Sequence, residues 1–307
     1  MTNTPPFQRP SFQIKGRKSP LALTIGILVI TAALFTALSG FYADWLWFKS
    51  VNFTDTWSTI LTTKATLFVV SGLLTAFIVM FNVLLAYKRR PLYVPMTVEA
   101  DNLERYRSQV EPIRRPIVIG LSIALFYFAG SAGSQMWSTW LLFRNSTPFG
   151  VTDPQFNMDI SFFAFRLPFW QTLISWGIST AILAILASVA VHYLYGGIRL
   201  QVQEDRTTVA ARVQLSVLLG LVVLLKAVAY WFDRYALALK ESRLITGLTY
   251  TDVNAVLPAK AILAGIAIIC SLLFFANIVR RSWVLPAAGT ALLVVSSVLI
   301  AGLYPGA

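Results

Sequence analysis

The chain has 307 residues, of which 57% are hydrophobic and 12% are charged, and its mean hydropathy is +0.69. Soluble domains usually carry about 25% charged residues, so the composition excludes a soluble globular domain and a disordered chain. A single Cys excludes an intramolecular disulfide, and a single His excludes a histidine-based metal cluster. The composition therefore predicts an all-α, polytopic membrane protein.

Seven apolar segments are long enough to cross a bilayer core, which requires about 20 helical residues. Helices are favoured because lipid cannot satisfy an open backbone. Basic residues precede the first segment as in a signal peptide, but no small-residue cleavage site follows it, so it is kept as a helix. Residues 1–20 are predicted to be a cytoplasmic tail and residues 21–307 a seven-helix domain. The predicted spans are Leu21–Phe41, Ala65–Tyr87, Pro116–Met136, Leu173–Tyr195, Val213–Trp231, Ala261–Val279 and Trp283–Leu303.

The distribution of basic residues predicts the orientation. Sixteen of the 25 Lys and Arg residues lie in the N-terminal tail and in segments 88–115, 196–212 and 280–281, whereas eight lie in the alternate segments. The positive-inside rule then predicts a plasma-membrane protein with a cytoplasmic N terminus and an extracytoplasmic C terminus. The net charge of +12 indicates affinity for anionic lipids on the cytoplasmic side. Nucleic acid is a poorer partner, because there is no compact basic domain to hold it.

Aromatic residues concentrate in the predicted outer segments, which hold seven of the nine Trp residues. They indicate either an aromatic belt at the headgroups or short amphipathic helices at the outer surface. One such helix is predicted to begin at Asp153-Pro154, with Asp153 as N-cap and with Phe156, Ile160 and Phe163 forming an apolar stripe. A second is predicted from Thr251 to Leu257, stopping before Pro258.

On the predicted inner side, an apolar stripe repeats at helical spacing among charged residues. It consists of Leu103, Tyr106, Val110 and Ile113. This pattern predicts an amphipathic helix that packs against the membrane or the inner ends of the spans, although a partner-binding helix would show the same pattern. Pairs of small residues four positions apart predict close helix contacts at Ala129/Gly133, Gly130/Ser134 and Ala261/Gly265.

All 13 carboxylates lie outside the predicted spans, an arrangement that disfavours a proton pump with an intramembrane acid. Lys226 lies inside the fifth span, with Tyr230 and Asp233 on the same helical face. It is either a structural lysine that snorkels or forms an ion pair, or a contact for an anion or lipid headgroup. His192 is interpreted as an interfacial residue and Cys270 as inert packing.

Residues that suit catalysis or metal binding are sparse elsewhere in the sequence. Asp44 and Asp55 are predicted to share the first outer loop, where membrane glycosyltransferases carry acidic residues, but no metal-ligand spacing accompanies them. Nucleophile triads, phosphate-binding loops and dinucleotide motifs are absent from the sequence. No catalytic residue, cofactor or metal is therefore assigned, and an enzymatic role is disfavoured.

Several strings together resemble a known family. They are Tyr42–Phe48, Phe149–Phe156 with its continuation through Asp159 to Pro168, Val223–Tyr235, and Tyr250–Lys260. Their combination resembles the Uncharacterised Protein Family 0182, large bacterial multi-pass membrane proteins common in actinobacteria. The resemblance implies a seven-helix N-terminal membrane region followed by a large extracytoplasmic portion, which this chain would lack. It implies no activity, cofactor or catalytic residue.

Two functions are consistent with these observations. The favoured one is a membrane anchor or platform for an extracytoplasmic domain, acting in cell-envelope assembly or with a membrane or envelope protein partner. The alternative is a transporter or channel for a lipid or anionic solute, with Lys226 on its path. The candidate functional residues are Lys226, Asp233, Asp44, Asp153 and Asp159.

Overall fold

A computed structural model describes residues 20–91, 98–199, 206–241, 246–280 and 284–303. Almost all of this part is helical, and its β pairing is limited to isolated bridges. The α-helices are α1 (Pro20–Ser50), α2 (Thr54–Lys88), α3 (Val98–Ser134), α4 (Trp137–Arg144), α5 (Leu167–Leu194), α6 (Val209–Ala236), α7 (Leu257–Arg280) and α8 (Val284–Leu303). The predicted all-α class is confirmed. Most of the predicted cytoplasmic tail lies outside the described residues.

Within the described part of the chain, six helices are long and apolar enough to cross a membrane. They are α1, α2, α3, α5 with its preceding turn, α6, and α7 with its preceding turn. The apolar part of α8, Val284–Ser296, is shorter. Six of the seven predicted spans thus correspond to helices that meet the length criterion, and the seventh corresponds to α8, whose described apolar part is shorter.

The chain forms two compact units, Met1–Leu61 and Thr62–Ala307. In the first unit, α1 continues to Ser50 and α2 begins at Thr54, so residues 51–53 alone connect them. The rings of Phe41 and Trp57 meet edge to face with centroids 5.0 Å apart. Most of the predicted first outer loop, between Phe41 and Ala65, is therefore helical, because both helices extend beyond their apolar cores.

In the second unit, α2 and α3 approach closely through small residues. A Cβ added to Gly72 would lie 2.6 Å from the backbone oxygen of Phe126, and one added to Gly133 would overlap Ser71 Oγ. Ser71 Oγ also donates to the Ala129 carbonyl at 3.1 Å. The close contact predicted at Gly133 is confirmed. The one predicted at Gly265 is wrong, because that glycine is exposed and a Cβ added to it would meet no atom within 4 Å.

Helices α6 and α7 form an antiparallel pair joined by hydrogen bonds across the interface. Ser216 Oγ donates to the Phe274 carbonyl at 2.8 Å, and Ser271 Oγ donates to the Gly220 carbonyl at 2.9 Å. Both serines are buried. Because hydroxyls inside an apolar bundle require a partner, these two bonds fix the register of the pair.

Helices α5 and α7 both begin after a five-residue π-helical turn followed by Leu-Pro. The turns are Phe162–Arg166 and Asp252–Val256, and the prolines are Pro168 and Pro258. A proline has no N–H to donate to the carbonyl four residues before it. The carbonyls of the preceding turn therefore accept bonds from residues five positions later, as in a π-helix. The helix predicted at Thr251 is helical as expected. Its predicted stop before Pro258 is wrong, since the chain runs directly into α7.

The amphipathic segment on the predicted inner side is the first part of α3, a single helix that contains Pro112 and Pro116. Two residues of its apolar stripe, Tyr106 and Ile113, are exposed and so pack little against the spans, while the contact of the stripe with the membrane stays a prediction. The contacts to the end of α5 are polar instead: Arg107 donates to the Leu194 carbonyl at 3.2 Å, and Glu111 accepts from Tyr195. The helix is thus confirmed, but it packs through its charged side chains.

Candidate functional site

Residues 137–166, which we call the cap, connect α3 to α5 on the predicted outer side. Asp153 does not begin a helix there, so that prediction is wrong. Its Oδ1 accepts hydrogen bonds from the N–H groups of Gln155 and Phe156 at 3.0 and 2.8 Å, which is the geometry of an Asx turn. Asn157 follows in the left-handed region with φ 52°. The same contacts would cap a helix, but the left-handed backbone of Asn157 ends the turn, and the Asp153 N–H donates to the Met158 carbonyl at 2.8 Å.

Asp159 fixes the backbone of the cap. Its carboxylate accepts from the N–H groups of Phe149 at 3.1 Å, Gly150 at 2.9 Å and Ser161 at 2.8 Å. The Ser161 hydroxyl, and then the N–H groups of Phe149 and Ser161, lower the pKa of Asp159 from 3.8 to about 2. Asp159 therefore ties Phe149 and Gly150, which precede the turn, to the start of the following helix at Ser161.

Aromatic rings attach the cap to the bundle. The Phe143 ring stacks on Phe169 with centroids 4.1 Å apart, so α4 is held against the start of α5. Phe156 and Phe162 both meet Tyr235 near the end of α6, with centroid distances of 5.0 and 5.5 Å. Rings paired in this way resist displacement, so the cap is a fixed surface rather than a loose loop.

Two other predicted residues lie on α6. Lys226 is on an exposed face, with Nζ 4.8 Å from the ring centroid of Tyr230, and Asp233 is half-buried. Neither joins the ion pairs found within 4.0 Å among the described residues. Neither lines the two cavities described below. The cation–π contact is compatible with a structural lysine, and the role of Lys226 in transport remains a prediction.

Asp44 is also on a helix, at an exposed position of α1, and Asp55 lies in the first turn of α2. Both were predicted to share a loop. In the described residues, no group of three or more His, Cys, Asp or Glu side chains could hold a metal ion. The structure therefore places these two acids on separate helices and supplies no ligand set around them.

The structure reveals a buried polar network that sequence reasoning missed. His192 is 1% exposed, and its Nε2 lies 3.0 Å from Gln214 Oε1. Gln214 Nε2 in turn donates to the Asn82 carbonyl at 2.9 Å and to Ser188 Oγ at 3.2 Å. His192 lies in the last turn of α5, near the end of its span as interpreted, but its side chain is buried against Gln214 instead of facing the headgroups. Only the presence of the polar Gln214 within an apolar segment could have signalled this network.

A second missed feature is a capping box before α7. Thr249 Oγ1 accepts from the Asp252 N–H at 3.1 Å, while Asp252 Oδ2 accepts from the Thr249 N–H at 2.9 Å. The buried Asp252 carboxylate also pairs with Lys240 Nζ at 3.0 Å. The pattern Thr-x-x-Asp was present in the sequence and is a recognised signal for a helix start.

A polar cavity of about 470 Å³ lies on the predicted inner side. We call it the arginine–tyrosine cavity; its lining residues are Arg90, Pro91, Glu104, Arg107, Ser108, Glu111 and Tyr195. Glu111 is its central acceptor, receiving hydrogen bonds of 2.8 Å from both Tyr87 and Tyr195 and one of 3.0 Å from Arg114. Three elements, α2, α3 and the end of α5, thus meet at one carboxylate.

A largely apolar cavity of about 420 Å³ lies between α2, α3, α4 and α5 on the predicted outer side. Trp140, Trp176 and Arg144 are among its lining residues. The indole N–H of Trp176 is buried and has no acceptor in the described part of the chain. Neither cavity was predicted, because each is formed by residues distant in sequence.

The comparisons with known proteins cover almost the whole chain. The model of the Uncharacterised protein family (UPF0182) matches residues 21–307. The chain belongs to this family. A UPF0182 protein of Streptomyces coelicolor is 47% identical over 302 residues, covering 97% of this chain and 30% of the relative. UPF0182 proteins of a Nocardioides species and of Rhodococcus erythropolis are 44% and 43% identical, covering 94% and 98% of this chain.

The chain spans about 30% of the length of the UPF0182 relatives it matches. No solved structure matches it. The resemblance identified from the sequence is confirmed. Because the family is uncharacterised, membership assigns no activity.

Proposed function

We propose that the chain is a membrane anchor in which the cap serves as a platform for an extracytoplasmic domain of the same longer protein, acting in cell-envelope assembly or a membrane complex. The observation that carries this proposal is the cap itself. It is fixed in place by Asp159 and by ring pairs, yet it leaves Phe149, Val151 and Ile160 more than 40% exposed.

A rigid surface with exposed apolar side chains suits docking better than transport. Ordering a loop on binding costs free energy, and a surface already fixed avoids that cost. Exposed apolar side chains on a polar backbone turn resemble the centre of a protein interface more than a lipid-facing helix. The occupant we assign is the part of UPF0182 proteins outside the region that this chain matches, since the chain spans about 30% of those relatives.

The test uses the full-length Streptomyces coelicolor relative in its native membrane. A photo-cross-linking amino acid is placed at the positions aligned with Phe149 and Ile160, and at the position aligned with Phe77 as a control. Phe77 is 69% exposed in the middle of α2. The proposal predicts cross-links from the two cap positions to peptides outside the matched region and none from the control. Cross-links to lipid alone from all three positions would contradict it.

A further inference from the structure

We propose that the arginine–tyrosine cavity binds a phosphate group, carried by an anionic lipid headgroup or by a soluble phosphate. The proposal is independent of the platform function, because the cavity lies at the opposite ends of the helices from the cap.

Arg90 has N–H donors available for a ligand. Its guanidinium lies over the rings of Tyr87 and Tyr195, with its Cζ 4.2 and 5.4 Å from their centroids. The carboxylate of Glu111 lies 3.9 Å from Arg90, too far for a strong hydrogen bond. These cation–π contacts involve ring faces rather than hydrogen-bond acceptors, so the five N–H donors of the guanidinium are available to an oxyanion.

Arg107 carries a buried donor that a ligand would satisfy. Its NH1 donates to Glu104 at 2.8 Å and its NH2 to the Leu194 carbonyl at 3.2 Å. Its Nε is buried and has no acceptor in the described part of the chain. A buried donor without an acceptor costs free energy, and a ligand oxygen in the cavity would satisfy it.

The charged side chains around the cavity are unequally neutralised. The negative charge of Glu111 is shared by two tyrosine hydroxyls and by Arg114. Glu104 is paired with Arg107. The charge of Arg90 is thus the least neutralised in the cavity. Guanidinium groups bind phosphate through paired hydrogen bonds, so an anionic, planar or tetrahedral oxyanion fits the cavity better than a cation or a neutral solute.

The size of the cavity agrees with such a ligand. About 470 Å³ exceeds a single phosphate ion, so a glycerophosphate headgroup also fits. The residue Ser108, exposed on α3, adds a hydroxyl to the lining. The same hydrogen-bond donors therefore suit the phosphate of a lipid headgroup and a soluble phosphate.

The experiment measures binding by the intact protein in two settings. Native mass spectrometry counts phosphatidylglycerol molecules retained after mild delipidation, and thermal unfolding in detergent is followed while inorganic phosphate is titrated against chloride at constant ionic strength. The variants are Arg90→Gln and Ser108→Glu. The second leaves every arginine–tyrosine contact in place and adds a repelling charge. Arg115→Gln, an exposed position on the same helix, is the control.

We expect both cavity variants to weaken retention of one phosphatidylglycerol, or stabilisation by phosphate, at least tenfold, while Arg115→Gln behaves as the parent protein. Loss of the lipid signal alone identifies a headgroup, and loss of the phosphate response alone identifies a soluble ligand. Equal binding by the parent and Ser108→Glu would overturn the proposal, as would equal losses in Arg115→Gln. If Arg90→Gln fails to fold, Ser108→Glu still decides.

Discussion

The imidazole of His192 and the side-chain amide of Gln214, 22 residues apart in the chain, are hydrogen-bonded at 3.0 Å inside the bundle. An amide oxygen can only accept a hydrogen bond, so Nε2 of His192 carries the proton. Gln214 then uses its own amide N–H groups on Asn82 and Ser188. A single glutamine thereby links α2, α5 and α6 at the predicted inner half of the bundle.

Gln214→Leu should destabilise the protein by about 1–3 kcal/mol, because it leaves the buried His192 N–H without an acceptor and removes the hydrogen bonds to Asn82 and Ser188. Thermal unfolding in detergent measures the effect. Gln109→Leu, at an exposed position of α3, should leave the unfolding midpoint unchanged. The double change Gln214→Leu with His192→Phe should recover part of the loss, since it removes the unpaired donor. Equal midpoints for the parent and Gln214→Leu would refute the network.

Gly72→Ala should lower stability by about 1–3 kcal/mol, the usual cost of overpacking. Its new methyl group would lie 2.6 Å from the Phe126 carbonyl, which is backbone and cannot move aside. Gly265→Ala is the matched control, because nothing lies within 4 Å of its Cβ position; in a helix this change should be neutral or slightly stabilising. Similar midpoints for the two variants would show that α2 and α3 are not in close contact.

Asp159→Asn should loosen the cap in a pH-dependent way. The folded pKa of Asp159 is lowered from 3.8 to about 2, so the stabilisation by its charge is present above pH 3.8 and is lost as pH falls through about 2. Near neutral pH, the cap of the parent should therefore resist proteolysis better than the cap of the variant, and by a constant amount. Unfolding followed by tryptophan fluorescence extends the comparison to acid, where the difference should disappear. A difference independent of pH down to 2 would contradict this account.

Lys226→Met should leave folding intact. The lysine lies on an exposed face of α6 beside Tyr230, and replacing an intramembrane charge by an apolar chain removes an insertion cost of about 2.5–3.5 kcal/mol. Circular dichroism and the unfolding midpoint check the fold. Anion flux into proteoliposomes checks the alternative function: flux in the parent protein that disappears in a folded Lys226→Met variant would establish a transport role and weigh against the platform.

The orientation is tested by single cysteines in a Cys270→Ala background. Thr147→Cys lies in the cap and Ser108→Cys lies in the arginine–tyrosine cavity, both at exposed positions. The positive-inside rule predicts that a membrane-impermeant maleimide labels Thr147→Cys in intact cells and labels Ser108→Cys only after permeabilisation. The reverse pattern would invert the topology.

The amino-acid sequence alone determined the fold class, the approximate positions of seven apolar helices and the family. These properties depend on local composition, because about 20 apolar residues form a span wherever their neighbours lie. The contact at Gly133 was also predictable, since small residues at helical spacing permit close approach. Asp159 was singled out from its sequence context, but its role as an acceptor for Phe149, Gly150 and Ser161 was not.

Tertiary structure alone decided which polar groups meet. Asp153 forms an isolated turn instead of a helix because Asn157 adopts a left-handed backbone and the Asp153 N–H donates to the Met158 carbonyl in the folded cap. His192 is a core residue because helix packing places Gln214 beside it as a hydrogen-bond partner. The arginine–tyrosine cavity joins Arg90, Glu111 and Tyr195, which are widely separated along the chain. Pairings over such distances leave no periodic signal in the sequence, because they depend on how helices pack rather than on how each one forms.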